Sequence, residues 1–392
     1  MNTYEIIFWS LLFLVFYTYV GYGIVLIILV KIKEFFIRKP ISDGVLYEPH
    51  VTMFVAAYNE KNYIDAKVQN MLELDYPKDK MQLLFVTDGS NDGTPELLQQ
   101  YKEVSLMHKA ERAGKIDAIN RGMELVKNPI VIYSDANAML NAKAVREIVK
   151  HYKDPKIGCV SGEKRIYKKD KDGASGAGEG IYWKYESLLK QFDFRLYSAI
   201  GAAGELFSIR KELHQHVEKD TLLDDFIISL RIAQKGYKIA YEPNAYASEN
   251  ASTSITEEMK RKIRISAGGI QSIIRLMSLL NFFKYGVLTF QYISHRVLRW
   301  TITPLALLIL LPINFMLMRQ DSGLVYEVLF CGQILFYILA LFGWYLENKK
   351  IKVKILFIPF YFLFMNLCVF IGFFRYIKGS QSVLWEKAKH AK

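Results

Sequence analysis

The apolar residues of this chain are not spread along it but gathered at its two ends. Ile6 to Val30 runs for 25 residues without a charge, long enough for a helix to cross a bilayer. Towards the other end, Thr301–Met318, Val328–Leu346 and Ile355–Phe374 are uncharged over 18, 19 and 20 residues. The stretch between, about Tyr47 to Leu280, has ordinary globular composition and room for one large core. Overall the chain is 52% hydrophobic, too apolar for an ordinary soluble protein and too polar for an all-membrane one. The expected division is an anchor over 1–31, a globular domain over 47–250, amphipathic or interfacial helices over 251–298, about three membrane helices over 299–376, and a basic tail over 377–392. No small-residue cleavage site of A-x-A type follows the first run, so a retained anchor is expected rather than a removed signal.

The net charge is +12, and its placement excludes a nucleic-acid binder. Lys31, Lys33, Arg38 and Lys39 follow the first apolar run, and Lys349, Lys350, Lys352 and Lys354 precede the last. That is a positive-inside pattern beside anionic lipid. It predicts a multi-pass protein of the inner or plasma membrane with its middle domain in the cytoplasm. The tail carries Arg375, Lys378, Lys387, Lys389 and Lys392 and would favour the same side, whereas three late spans would export it. Either the tail is exported, or one late segment is re-entrant or interfacial. Cys159, Cys331 and Cys368 have no metal-ligand spacing and fit a reducing compartment.

Strand and helix patterns alternate through the middle. His50–Ala57 reads as a strand and is followed by a helix to about Leu74. Met81–Thr87 is a strand, and Thr94-Pro95 opens a helix. Val104–His108 is a third strand, Gly114–Val126 a helix, and Pro129–Ser134 a buried strand ending at Asp135. This predicts an α/β domain with a mostly parallel sheet, whose ligands bind beyond the carboxyl ends of the strands. Asn59, Asp88 and Asp135 stand there. Lys168–Gly180 reads as a glycine- and charge-rich loop, Gly180–Phe192 as an amphipathic helix, and Glu257–Leu280 as a helix on the membrane surface or in the core.

The chemistry-bearing residues suit transfer of a group away from a nucleoside diphosphate. Asp135 with Asn137, spaced by two, would share a face of an extended segment, and hard oxygen ligands suit Mg2+ or Mn2+. The same residues also suit a turn. Asp88, before a Gly-Ser-Asn-Asp-Gly loop, is a candidate for gripping base or ribose, with Ala57, Tyr58, Asn59 and Glu60 lining the pocket. Asp92 either joins them or caps a helix. Lys115 adds positive charge near the diphosphate unless it is merely solvated. Asp224 and Asp225 are adjacent carboxylates, which pushes one pKa upward and suits a general base. An acid at a helix N-terminus would look the same. Arg261 and Arg264 share a helical face and suit either a diphosphate or lipid headgroups.

In this order the motifs resemble family 2 glycosyltransferases, specifically the membrane synthases related to cellulose, hyaluronan and poly-N-acetylglucosamine synthases, over roughly Pro49 to Ser272. The resemblance implies a Rossmann-like GT-A nucleotide-sugar domain and an inverting mechanism. It makes Asp88 the nucleotide-binding aspartate, Asp135 the first residue of the metal-binding D-x-D, and Asp225 the base that ends T-E-D. Gly204 and Glu205 belong to the acceptor-side loop, and Arg264 is the arginine of Q-x-x-R-W. It further implies a UDP-sugar donor and a glycan or lipid-linked acceptor, with a separate exporter left open as a partner. The last acid of D-x-D is Asn137 here, and T-E-D reads Leu223-Asp224-Asp225. Ile265 stands where an aromatic would stack on an acceptor sugar. The alternatives are single transfer to a lipid phosphate and an inactive scaffold or export subunit. Polar residues in the late runs (Asn314, Gln333, Asn366) would serve the latter, or hydrogen-bond between helices.

Overall fold

The computed structural model describes residues 2–37, 46–167, 174–250, 254–349, 351 and 353–382. Arg38, Lys39, Lys350, Lys352, the end of the basic tail and the first part of the glycine-rich segment lie outside them.

The amino-terminal helix is continuous from Thr3 to Phe36. It consists of α1 (Thr3–Phe16), a π-helical turn at Tyr17–Gly21 and α2 (Tyr22–Phe36). The middle domain then runs β1 (Val51–Ala57), α3 (Lys61–Leu72), β2 (Met81–Asp88), α4 (Thr94–Leu98), β3 (Val104–Lys109), α5 (Lys115–Gly122) and β4 (Ile130–Ser134). It continues with β5 (Met139–Leu140), α6 (Ala144–Val149), β6 (Ile157–Tyr167), α7 (Ala174–Leu196), β7 (Leu206–Arg210), α8 (Asp224–Gln234) and β8 (Lys238–Asn250). Next come α9 (Ile255–Arg275) and the short helices α10 (Phe282–Tyr285), α11 (Val287–Tyr292) and α12 (Leu298–Trp300). The chain ends with α13 (Ile302–Arg319), α14 (Leu324–Asn348) and α15 (Lys354–Ile377).

The eight strands form one sheet in the order β3-β2-β1-β4-β7-β6-β8-β5. β3, β2, β1 and β4 are parallel neighbours, as are β6 and β8, while β7 lies antiparallel between β4 and β6. Every residue of β1 is buried, because helices cover both faces of the sheet. Phe54 and Ala56 point into one core with Leu84, Val131 and residues of α5 and α8. Met53 and Val55 point into the other, with Ile64, Val68 and Ile148. The two-residue period of a strand sorts the side chains between these cores, and parallel strands covered on both faces read as unbroken apolar runs.

One expectation needs correction, and one open alternative is decided. α7 begins at Ala174, so the glycine-rich segment from there to Gly180 is helical rather than a loop. Of the two alternatives for α9, the core one holds along most of its length, where Glu258, Lys262, Ile263, Ser266, Ala267, Gly268, Gly269 and Ile270 are buried. Its flank packs on α15 through Ile263, Phe357, Phe360 and Tyr361.

Among the described residues four helical segments are long and apolar enough to cross a membrane: Thr3–Phe36, Ile302–Arg319, Leu324–Asn348 and Ile355–Ile377. The first is about 51 Å long at 1.5 Å per residue, more than a bilayer's hydrocarbon core. Its lower half docks on α7. Tyr22 donates to the buried carboxylate of Asp193, and Lys33 Nζ donates to the carbonyls of Arg195 and Leu196 at 2.8 and 2.7 Å. His295 bonds the other oxygen of Asp193 at 2.5 Å. Asn314, in α13, lies within 2.9 Å of Gln333 in α14, as interhelix bonding requires.

Candidate active site

Beyond the carboxyl ends of the central strands lies a cavity of about 530 Å³, walled on its far side by α7, α9, α12 and α15. Asp135, Lys115, Gly204, Glu205, Asp224 and Asp225 line its inner end. A smaller hollow lies beside it, between Ala57, Tyr58, Asp88, Arg112, Gly114 and Lys115.

Asp88 ends β2 and is nearly buried. Its Oδ2 accepts from the backbone N–H groups of Ala113 and Gly114 at 2.9 and 2.6 Å, and Arg121 Nη2 lies 3.3 Å from its Oδ1. The aspartate therefore shapes the loop that leads into α5. That loop holds the Arg112 guanidinium 3.8 Å from the ring centroid of Tyr58, a flat platform at the hollow's mouth. Asn59 sits at φ 54, a conformation asparagine tolerates better than most residues. Its side chain bonds both the backbone and the side chain of Asn91, at 2.9 and 3.1 Å. The Glu60 N–H donates to Thr94 Oγ at 3.0 Å. These two residues thus clasp neighbouring loops and line neither space. Asp92 takes the capping alternative: its Oδ1 accepts from the Thr94 N–H at 3.0 Å, and its Oδ2 from the Lys61 N–H at 3.2 Å.

Asp135 reaches the cavity from a turn, not from an extended segment, because β4 ends at Ser134 and the Ala138 N–H closes back on the Asp135 carbonyl at 3.2 Å. Asn137 accordingly does not share a face with Asp135 and lies outside the cavity wall. Lys67, wholly buried, spans this turn by donating to Ser134 Oγ at 2.7 Å and to the Ala138 carbonyl at 2.5 Å. Burial lowers its pKa to about 7, with Asp135 opposing. Lys115, the first residue of α5, lies 3.1 Å from Asp135 and 3.3 Å from Asp224. Burial alone would depress its pKa, but Asp135, Asp224 and Asp225 outweigh it and hold the ammonium charged. Among the described residues no group of three His, Cys, Asp or Glu side chains gathers around one point. Mg2+ and Mn2+ bound with a diphosphate need only one or two carboxylates, since phosphate oxygens and water complete the shell. Asp135, a hard ligand facing the cavity, fits such an ion.

Asp224 and Asp225 open α8. Burial first, and then Asp224 beside it, raise the Asp225 pKa to about 7, with Glu205 adding and Lys115 opposing. Glu205 goes the other way. Burial would raise it, but Lys164, 2.5 Å away, holds it down at about 2. Gly204 lies so close that a Cβ there would stand 3.3 Å from Asp225 Oδ2. Gly201, at φ +84, leaves no room for a Cβ beside Phe226.

Arg261 and Arg264 both line the cavity, but only Arg261 is held by acids there, 3.1 Å from Glu258 and 3.7 Å from Glu249. Arg264 Nη2 donates to the Leu222 carbonyl at 3.4 Å. Ile265 brings no aromatic face, yet the cavity has two tryptophans from elsewhere. Trp183 comes from α7, with Lys262 Nζ 5.3 Å from its ring centroid. Trp300 comes from α12, edge-on to Phe226 with centroids 5.4 Å apart. Gly269, one helical turn after Ile265, makes the space for Trp300. Arg112, Lys67, Trp183 and Trp300 were not legible as site residues, since none of them falls within a motif or carries a spacing signal.

The family model described as glycosyl transferase family 2 matches residues 52–217. The poly-beta-1,6-N-acetyl-D-glucosamine synthase of Staphylococcus aureus strain MSSA476 is 27% identical over 235 residues, 57% of this chain and 56% of that protein. The synthase of the same name from Staphylococcus epidermidis is 25% identical over 262 residues, 62% of each. The chain thus spans little more than half the length of the curated relatives it matches. Among solved structures, the mannosyltransferase PcManGT of Pyrobaculum calidifontis, in complex with GDP-Man and Mn2+, superposes with a TM-score of 0.71 at 21% identity. The match covers 96% of this chain and 100% of that one, and it is a likeness of fold.

Proposed function

We propose, on the premise that residues 52–217 are a glycosyltransferase family 2 domain with a GT-A fold, that the chain is a membrane-bound, metal-dependent, inverting glycosyltransferase. It moves a sugar from a nucleotide donor to a glycan or lipid-linked acceptor, in the making of a cell-surface or extracellular polysaccharide. The carrying observation is Asp225, a carboxylate with its pKa raised to about 7 in the same cavity as Asp135 and Lys115. A general base works best when poised near ambient pH.

The nucleotide base lies in the hollow at Tyr58, Asp88 and Arg112. Asp135 would hold Mg2+ or Mn2+, which neutralises charge developing on the departing diphosphate. Lys115 supplies a second positive charge at the same place. Asp225 takes the proton of the acceptor hydroxyl as its oxygen bonds to the anomeric carbon. The bond from that carbon to the diphosphate breaks on the opposite face, so configuration inverts. Ionised Glu205 pairs with Lys164 and keeps the loop at Gly204 seated against the base. The donor in this reading is a UDP-sugar, and the catalytic domain faces the cytoplasm, where such donors are.

The test is nucleotide release and product formation across a panel of UDP- and GDP-sugars, with Mn2+ or Mg2+ and with EDTA. Turnover of one donor, lost with EDTA and in Asp225→Asn, is the expected result. Wild-type turnover by that variant would overturn the assignment of the base.

A further inference from the structure

Trp183, Glu186, Lys190 and Asp193 follow one another along α7 at spacings of three, four and three, so they share one helical face. The first three line the cavity. The three charged ones are buried, and two of them are fully engaged. Glu186 holds Arg299, Arg296 Nη1 at 3.0 Å and His295 Nε2 at 3.3 Å. Asp193 holds Tyr22, the other ring nitrogen of His295 at 2.5 Å and Gln291 at 3.1 Å.

Lys190 differs. It is only 6% exposed, yet among the described residues no carboxylate or other acceptor stands within bonding distance of its ammonium. The ring of Tyr241 is 6.0 Å from the nitrogen, the outer limit of a cation–π contact. Burial and Arg296 lower its pKa, while Glu186, Glu205 and Asp225 oppose them. Acids therefore balance its charge at longer range, but its N–H donors have nothing to bond. A buried donor left in that state costs more than an ordinary hydrogen bond gains. What the place lacks is a neutral oxygen, not another anion.

The same cavity holds Asp225. Its far side is closed by α15 and by Tyr19 of the first helix, whose hydroxyl donates to Asn366 Oδ1 at 2.7 Å. With the diphosphate at Asp135 and Lys115, that far side is left to the acceptor.

We propose that Lys190 holds the acceptor sugar at the base. Its ammonium donates to an oxygen beside the hydroxyl that Asp225 deprotonates, so cation and carboxylate grip neighbouring oxygens of one ring. This deepens the transferase reading and rests on it. The oxygen taken by Lys190 is not the attacking one, because a hydrogen bond donated there would weaken the nucleophile. A sugar without that neighbouring oxygen leaves the ammonium buried and unbonded, so Lys190 also selects among acceptors.

The test uses the full-length protein in detergent with the donor it turns over. Methyl glycosides of glucose, N-acetylglucosamine, mannose and galactose serve as acceptors, and the best of them is compared with its monodeoxy analogues. Loss of one hydroxyl beside the attacked one lowers acceptor kcat/KM about tenfold to a hundredfold, the scale for a lost hydrogen bond to a charged group. In Lys190→Met the parent glycoside falls by a similar factor, and its advantage over that analogue shrinks to within about twofold, as when both ends of one interaction are removed. That ratio does not change when part of the sample is merely misfolded. An advantage that survives in Lys190→Met, or a wild-type protein indifferent to every such change, overturns the role of Lys190. So does a protein that hydrolyses its donor and that no glycoside accelerates. Each of these leaves the transferase standing. Absence of nucleotide release from every donor, with every acceptor, overturns both.

Discussion

Lys115 sets its ammonium 3.1 Å from Asp135, the carboxylate best placed to hold a divalent ion. Before any donor binds, the protein neutralises that carboxylate with its own cation. Lys115→Met is expected to bind Mn2+ more tightly without nucleotide, measured by electron paramagnetic resonance. Turnover should nevertheless fall about a hundredfold, the usual scale for removing a charge aimed at the leaving group.

Asp225 should govern the acid limb of the pH profile. With a pKa of about 7 in the fold, kcat/KM is expected to rise tenfold per pH unit below that value and level off above it. Stability should move in the opposite direction. The ordinary value is 3.8, so ionisation is harder in the folded protein, and stability is lost as pH rises from about 4 to about 7. Asp225→Asn removes this loss. At pH 8 the variant should be more stable by about 1–3 kcal/mol yet inactive, and at pH 4 close to wild type. Melting curves at the two pH values check both signs.

Lys67 holds the Asp135 turn from behind, through Ser134 and Ala138. Lys67→Met leaves both oxygens without their donor. The concentration of Mn2+ needed for half-maximal turnover should rise about tenfold or more, as when the support of a metal ligand is removed. Donor affinity without metal should change far less.

Two glycines of one loop should behave differently. Gly204→Ala brings a Cβ to 3.3 Å from Asp225 Oδ2, so a folded protein with reduced kcat is expected. Gly201→Ala sets a side chain at φ +84 against the Phe226 ring, and a loss of about 1–3 kcal/mol is expected. Circular dichroism melts beside turnover numbers separate the two.

The parallel half of the sheet was legible because β1, β2 and β4 are buried on both faces and read as apolar runs ending in Asn59, Asp88 and Asp135. Antiparallel β7, set between β4 and β6, was not, since no local pattern says where a strand inserts. Asp225 could be found from its neighbour Asp224, although burial proves the larger cause of its shift. Asn137 misled because spacing two implies a shared face only while a strand continues, and β4 stops at Ser134. The loss of an aromatic at Ile265 was plain. Its replacement by Trp300 depends on Gly269 admitting a ring from another helix, which only coordinates reveal. The glycines from Ala174 to Gly180 suggested a loop, but helix propensity is a weak guide, and the backbone there is helical.

The bond between Tyr19 and Asn366 joins residues almost a whole chain apart. During synthesis Tyr19 leaves the ribosome 347 residues before Asn366. Until Asn366 follows, the acceptor wall has one side missing, even if the nucleotide-binding half has already folded. On the proposed reading, a chain that has not yet reached Asn366 holds a donor with nothing to receive its sugar, so transfer waits on the arrival of α15.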